Sequence, residues 1–206
     1  MAVLADGKPP LERTFTREME HGRCLAPALH DLLSTLDGDR CPIDTVSVDV
    51  GPGSYTGLRI GIATAQMLAF AYDVPLVGVC SLDAIARAVR CEWDSVCAIM
   101  DAKWGKVYAR FYVPQSGVWQ PVGAPFVAAA GEALEKVTPR TLVVGEGLEA
   151  HADLVRSKTR HIAPRETWFP QALNVARLAQ EQAIKGPVKS ALELEPLYLT
   201  QRGKGV

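Results

Sequence analysis

The sequence predicts an α/β protein made of two similar lobes, and three observations support this fold class. Strand patterns alternate with helix patterns along much of the 206-residue chain, an order typical of α/β folds. In each half, a valine-rich strand ends in glycines just before a helix, at 46–53 and again at 141–147. No flexible linker separates the halves near residue 95, so we expect lobes at 1–94 and 95–206.

The N-terminal half is predicted to contain a hairpin, an amphipathic helix, a short strand and a further helix. In order, these are strands at 1–5 and 11–16 around a turn at Asp6-Gly7, a helix over 21–36, a strand at 76–79 and a helix over 81–89. Leucines and alanines at helical spacing indicate the first of these helices. Ser81 is expected to cap the second, because a hydroxyl oxygen accepts well from the first helical N–H groups.

The most informative stretch is the strand, glycine turn and helix start TVSVDVGPGSYTGLRIG at 45–61. Such a turn presents free backbone N–H groups at a helix N-terminus, where phosphates commonly bind. We expect a glycine loop formed by Gly51, Gly53, Ser54 and Thr56, with one of the two hydroxyl residues capping the helix. The glycine spacing misses the dinucleotide fingerprint by one position, and no Lys-Ser or Lys-Thr follows for a P-loop.

The helix predicted over 57–71 has one face of small residues. The members of this face recur every four positions and are Gly57, Gly61, Ala65 and Ala69. Such a face either lets a second helix approach closely or packs on the protein's own sheet. The residues leave both alternatives open, and Arg59 and Gln66 are expected to be solvated elsewhere on the helix.

The C-terminal half is predicted to begin with a second hairpin and to continue with alternating strands and helices. The hairpin strands cover 95–101 and 106–113. The elements after them are a strand at 118–122, a helix over 129–137, a strand at 141–145 and helices over 148–156 and 170–185.

Composition argues against several classes of protein. The 22 basic and 23 acidic residues are mixed along the chain, so no global field favours nucleic acid or an anionic membrane. Neither a leader-like segment nor a membrane-spanning run is recognisable, and we expect a cytoplasmic protein. The five cysteines include no C-x-x-C pair, and the histidine pairs are nine and ten residues apart, so neither a disulfide framework nor a metal site is predicted.

Four segments of the chain match one protein family in order and at the expected separations. They are GPGSYTGLRIGIATAQ at 51–66, VPLVGVCSLDAIA at 74–86, MDAKWGKVYARFY at 100–112 and EPLYL at 195–199. The chain thereby resembles the TsaB proteins, also called YeaZ, which are partners in making threonylcarbamoyl-adenosine in tRNA. The helix from His21 to Leu33 also looks like the family's histidine-led helix.

The resemblance implies an actin-like or Hsp70-like fold of two ribonuclease-H-type lobes and a subunit without its own catalysis. Transfer of the threonylcarbamoyl group belongs to a paralogue, TsaD, with a metal-binding H-x-x-x-H, a spacing that this chain lacks. The expected partners are a TsaD-like paralogue and a TsaE-like ATPase, and tRNA is met only indirectly. ATP and a metal ion are expected on the partner subunit, with no catalytic residue, cofactor or metal on this chain. Alone, the chain is expected to form a homodimer.

The resemblance further implies that the first helices of the N-terminal lobe bind the partner. The expected contact residues are Leu25, Leu29, Leu32, Gly57, Arg59, Gly61, Thr64, Ala65 and Leu68. Gly61 and Ala65 are expected at the centre of a helix–helix contact because they have almost no side chain. This expectation favours partner binding over packing on the protein's own sheet.

The chain departs from the family at its start. Family members begin with a strand that ends in an Asp-Thr turn, and the continuation of that strand aligns with AVLADGK at 2–8. The first strand of the N-terminal lobe is therefore expected to be missing from this chain. The corresponding expectation is a natural protein about ten residues longer, enough for one ordinary strand.

Two other functions remain open alongside the subunit role. An actin-like-fold ATPase or phosphotransferase needs carboxylates that hold Mg²⁺ between its lobes, and Asp49 and Asp101 are the candidates. A peptidase-like relative needs an activated nucleophile. Ser54 lies in a glycine-rich turn but lacks the G-x-S-x-G context.

Overall fold

The computed structural model describes residues 1–5, 7–14, 21–35, 43–185 and 193–199, without the side chains of 21–24 and 185. The strands are β1 (Ala2–Val3), β2 (Leu11–Glu12), β3 (Val46–Gly51), β4 (Leu76–Cys80), β5 (Ser95–Asp101), β6 (Lys106–Gln115), β7 (Val118–Ala129) and β8 (Thr141–Val144). The helices are α1 (His21–Ser34), α2 (Tyr55–Tyr72), α3 (Ser81–Arg87), α4 (Ala130–Ala133), α5 (Leu148–Arg156) and α6 (Ala172–Lys185), with 3-10 turns at Leu134–Lys136 and Arg165–Thr167. The chain therefore has an α/β fold.

The larger sheet is mixed and has the strand order β7-β6-β5-β8. Strands β5 and β8 run parallel, whereas β6 is antiparallel to both of its neighbours. Alternate residues of β5 face opposite sides of the sheet. Cys97 and Ile99 enter a core with α4 and α5, and Val96 and Ala98 enter a second core with α3. Helices therefore cover this sheet on both faces, which explains why β5 is apolar from Val96 to Met100.

The smaller sheet consists of the parallel strands β3 and β4, and helices cover both of its faces. On one face, Ala65 and Ala69 of α2 pack with Leu76. On the other, Val175 and Ala179 of α6 pack with Val77 and Val79. Helix α6 comes from the C-terminal half yet packs on the sheet of the N-terminal half. The division into units at 1–94 and 95–206 stays a prediction.

Strands β1 and β2 form a separate antiparallel pair. Among the described residues, β3 has β4 as its neighbouring strand, and its carbonyl at Val50 accepts from the backbone of Leu197 at 2.7 Å. The expected absence of a first strand stays a prediction. Within the part of the chain that the structure describes, no helix is both long enough and apolar enough to cross a membrane.

Several expected elements have different bounds in the structure. Helix α2 begins two residues before the predicted start, and β7 extends to Ala129, beyond the predicted end at 122. The helix expected over 129–137 is a single α-helical turn followed by a 3-10 turn. The opening hairpin pairs only two residues in each strand. Asp6 of its turn, 15–16 of its second strand and Leu36 of the first helix lie outside the described residues.

Ser81 does not cap α3, which corrects the prediction for this residue. Cys80 is the residue before the helix and makes no side-chain cap. The Ser81 hydroxyl instead lies 2.6 Å from Asp49 Oδ1 and 2.7 Å from the carbonyl oxygen of Pro52. The side chain is buried, so its polar group bonds to the glycine loop rather than to its own helix.

Candidate functional site

The glycine loop between β3 and α2 is held by a partly buried carboxyl group. Asp49 Oδ1 accepts from the backbone N–H of Gly51 at 2.8 Å and from the Ser81 hydroxyl at 2.6 Å. Burial is the main effect on this group and raises the pKa of Asp49, while the bonds from Ser81 and Gly51 act in the opposite direction. Asp49 therefore connects the loop to the start of α3. Its bond to the N–H group two residues later is typical of aspartate in turns.

The second strand-ending aspartate is held in a different way. Asp101 Oδ1 accepts from the backbone N–H of Lys103 at 2.8 Å, and Oδ2 lies 2.7 Å from the Lys103 ammonium. The bond from the Lys103 side chain lowers the pKa of Asp101. Each of the two aspartates that were candidates for an Mg²⁺ site is thus engaged in its own loop. No group of three or more His, Cys, Asp and Glu side chains suited to a metal ion occurs in the described ranges.

The exposed side of the glycine loop leads into helix α2. Ser54 is the N-cap, as expected, and its hydroxyl oxygen accepts from the Gly57 N–H at 3.3 Å. Among the described residues, this is the one hydrogen bond that the Ser54 hydroxyl makes, and no basic side chain is bonded to it. Gly53 and Thr56 are exposed beside it. The chemistry shown for Ser54 is that of a helix cap.

The C-terminal part of the small-residue face of α2 lies against the protein's own sheet. Ala65 and Ala69 are buried in a cluster with Val46, Val48 and Leu76. A Cβ atom at Gly61 would lie 3.8 Å from Cγ2 of Val48. At Ala65 and Ala69, the structure therefore shows packing on the protein's own sheet. Ala65 is buried on this side, whereas Gly61 is half-buried, and the expected central contact of Gly61 and Ala65 with a partner helix stays a prediction.

The opposite side of α2 presents an apolar stripe to solvent. Ala63, Met67 and Phe70 follow one another at positions i, i+4 and i+7 and lie on one side of the helix. Met67 is 67% exposed and Phe70 is 74% exposed. We refer to these three residues as the outer stripe. Clustered exposed apolar side chains are typical of interaction surfaces.

The outer stripe was missed because the small-residue pattern indicated the other face. A signal for it is present in the sequence. Helix α2 has 18 residues and a single charged side chain, Arg59. A helix that is apolar on all sides is covered on all sides, so an apolar helix beside a two-stranded sheet needs a second covering.

The remaining residues expected to bind a partner are spread over both sides of the two helices. Gly57 and Arg59 are exposed on α2, whereas Thr64 and Leu68 are half-buried. On α1, Leu25 and Leu29 are half-buried and Leu32 is buried. Partner contact at the exposed and half-buried positions stays a prediction. Leu32 is 4% exposed, so within this chain it is a packing residue.

The C-terminal segment 193–199 lies along α2 and contacts the polar residues of that helix. The Gln66 side chain donates to the carbonyl oxygen of Leu194 at 3.1 Å. Arg59 Nε donates to the Tyr198 hydroxyl at 3.2 Å, and the guanidinium lies 4.1 Å from the ring centre of Tyr55. Arg59 is exposed, as expected, and also contacts Tyr198, whereas Gln66 is half-buried and bound by this segment.

Comparison with known proteins places these features in one family. The family described as TsaD, tRNA N6-adenosine threonylcarbamoyltransferase, matches residues 16–189. The chain is 29% identical over 189 residues to the tRNA threonylcarbamoyladenosine biosynthesis protein TsaB of Escherichia coli, covering 87% of this chain and 80% of that protein. It is 38% identical over 122 residues to the Bacillus subtilis protein of the same name, covering 59% of this chain and 53% of that protein.

Solved structures show the same similarity over nearly the whole chain. YeaZ from Pseudomonas aeruginosa has a TM-score of 0.81 at 25% identity and covers 96% of this chain and 92% of its own. An uncharacterized protein from the same organism, described as similar to the peptidase YeaZ, has a TM-score of 0.84 at 25% identity. That match covers 97% of this chain and 93% of the other.

Proposed function

We propose that this chain, which belongs to the TsaD family of tRNA N6-adenosine threonylcarbamoyltransferases and within it to the TsaB/YeaZ proteins, is the non-catalytic subunit of a tRNA-modifying complex. Its role is to pair with a TsaD-like paralogue in the biosynthesis of threonylcarbamoyladenosine. A TsaE-like ATPase is the further partner, and tRNA reaches the complex through the other subunits. In the absence of the paralogue, the same surface joins two copies of the chain.

The outer stripe of α2 is the observation that carries this proposal. Met67 and Phe70 leave large apolar surfaces in water, and burying such a side chain is worth about 1.5–3 kcal/mol. A partner helix that covers the stripe removes this surface from solvent. The proposal thus keeps α2 as the partner-binding helix but moves the contact from its small-residue face to its outer stripe.

The assignment of catalysis to the partner has support in the sequence and in the loops. The H-x-x-x-H expected of the catalytic paralogue does not occur in this chain. Asp49 accepts from the Ser81 hydroxyl, and Asp101 is paired with Lys103. We therefore propose that ATP and a metal ion bind on the partner subunit, and that the fold is an actin-like pair of lobes in a cytoplasmic protein.

Reconstitution with the purified paralogue tests the proposal. The chain and the paralogue are expected to form a stable complex, and threonylcarbamoyladenosine is expected to form only when both are present. The chain alone is expected neither to hydrolyse ATP nor to modify tRNA. Turnover by the chain alone that is lost with Asp49→Asn or Asp101→Asn would contradict the subunit role.

A pair of charge substitutions locates the contact surface. Phe70→Asp is expected to weaken complex formation by at least about tenfold, because a charge would be buried in the interface. Ile184→Asp is the matched control, since Ile184 is an exposed apolar residue on α6. It is expected to leave association unchanged. Equal loss in both variants would mean that the effect is not specific to α2.

A further inference from the structure

The C-terminal segment 193–199 is bound to the N-terminal half of the molecule along its length. The backbone N–H of Leu197 donates to the carbonyl oxygen of Val50 at 2.7 Å. Leu194 packs on the cluster that contains Ala65 and Ala69 of α2, and its carbonyl oxygen accepts from Gln66. The segment is therefore fixed beside α2 by backbone, apolar and polar contacts.

Tyr198 completes an exposed cluster at the beginning of α2. Its ring stacks on Tyr55 with 5.7 Å between centroids, and its hydroxyl accepts from Arg59 at 3.2 Å. Tyr55 is 57% exposed and Tyr198 is 51% exposed. Each of the three side chains contacts the other two, so their arrangement is set before any partner arrives. We refer to Tyr55, Arg59 and Tyr198 as the aromatic cluster.

The aromatic cluster is continuous with the outer stripe. Tyr55, Arg59 and Gln66 follow one side of α2, and Ala63, Met67 and Phe70 occupy the adjacent side. A partner that covers Phe70 and Ala63 thus passes directly beside Arg59. Tyrosine and arginine are among the residue types most often found as strong contributors at protein interfaces.

Resting on the proposed function, we infer that the C-terminal segment is part of the partner-binding surface. Tyr198 holds Arg59 and Tyr55 in place for a carboxylate at the edge of the partner's apolar helix. Charge favours this chemistry, because the first turn of α2 has no acidic residue and no carboxylate among the described residues pairs with Arg59. A planar guanidinium that is already oriented loses little freedom when it binds a carboxylate.

Binding measurements with the purified TsaD-like paralogue test this inference on the full chain. Tyr198→Ala removes the ring and the hydroxyl and is expected to weaken association about tenfold. Tyr198→Phe keeps the ring stack and is expected to lose less. Trp104→Ala is the control, because Trp104 is 94% exposed on the β5–β6 turn, and it is expected to leave association unchanged. The melting temperature of each variant alone should match that of the wild type.

A double-substitution cycle separates a preformed cluster from independent contacts. If Tyr198 acts by orienting Arg59, the loss in Arg59→Ala with Tyr198→Ala is smaller than the sum of the two single losses. Additive losses, or wild-type association of Tyr198→Ala, overturn the inference and leave the proposed function standing. Failure of the wild-type chain to bind the paralogue overturns both.

Discussion

At the scale of single residues, Asp49 and Asp101 both lie near the end of a strand, but the fold shifts their pKa values in opposite directions. Burial raises the pKa of Asp49 above its ordinary value of 3.8. The Lys103 ammonium lowers the pKa of Asp101 below that value. Because a shifted pKa is a difference in proton affinity between the folded and unfolded chain, each aspartate makes stability depend on pH with its own sign.

These signs lead to a paired prediction. The folded protein holds the proton of Asp49 more tightly than the unfolded chain, so Asp49 costs stability as pH rises from 3.8 through its raised pKa. Asp49→Asn is expected to remove this loss. Asp101 contributes stability above 3.8 that disappears as pH falls through its lowered pKa, and Asp101→Asn is expected to lose that contribution. Urea unfolding across the acidic range measures both, and parallel profiles for the two variants would contradict the assignment.

Ser81 provides a second prediction at the scale of one residue. Ser81→Ala removes a buried hydroxyl that lies within hydrogen-bond distance of Asp49 and of the Pro52 carbonyl oxygen. Leaving buried acceptors unsatisfied is expected to lower the free energy of unfolding by about 1–3 kcal/mol. Ser157 is a suitable control, since its exposed hydroxyl donates to the backbone of Leu154. Ser157→Ala should change stability by less than about 0.5 kcal/mol, and equal effects would show that the loop bonds are unimportant.

At the scale of elements, substitutions on the two sides of α2 are expected to have different effects on stability. Sequence patterns alone do not predict this difference. Gly61→Leu would drive a branched side chain toward Val48, and overpacking of this kind typically costs about 1–3 kcal/mol. The loss should occur in the isolated chain. Ala63→Leu, on the outer stripe, should leave its stability within about 0.5 kcal/mol. Thermal unfolding of both variants without a partner measures the difference, and an unaffected Gly61→Leu would favour the helix–helix contact predicted from the sequence.

Periodicity predicted most of the elements because their contacts are local or strictly alternating. The strand β6 and the helix α5 follow directly from periods of two and 3.6, and β5 follows from a short apolar run. The inward face of α2 could not be predicted in the same way. Gly61 and Ala65 fit against a sheet as well as against a helix, so the small residues do not distinguish the two.

The site depends on long-range contacts for which the sequence has no local signal. Tyr198 and Arg59 are 139 residues apart, and Gln66 and Leu194 are 128 apart. Serine is a residue type typical of an N-cap, but the Ser81 hydroxyl instead bonds to the carboxyl group of Asp49, 32 residues earlier. The family resemblance supplied the function, whereas the outer stripe and the aromatic cluster required the fold.

At the scale of the whole molecule, the charge distribution limits how the protein can meet RNA. The net charge is −1, and basic side chains are largely offset by acidic neighbours. Examples are the pairs Arg87 with Glu181, Arg110 with Asp83, Arg140 with Asp94 and Arg165 with Glu149. Because these arginines are already paired with carboxylates, they are less available to neutralise phosphates.

We therefore expect the isolated chain to bind tRNA weakly and with a shallow dependence on salt. Each phosphate contact contributes a slope of about −0.7 to −0.9 to the logarithm of affinity against the logarithm of salt concentration, so one or two contacts give a slope of about −1 to −2. Anisotropy of labelled tRNA, titrated with the chain alone at several salt concentrations, measures this slope. The complex with the paralogue should bind more tightly and with a steeper slope, because the partner supplies the phosphate contacts. Tight binding by the chain alone, with a slope as steep as that of the complex, would mean that this subunit itself presents a surface to RNA.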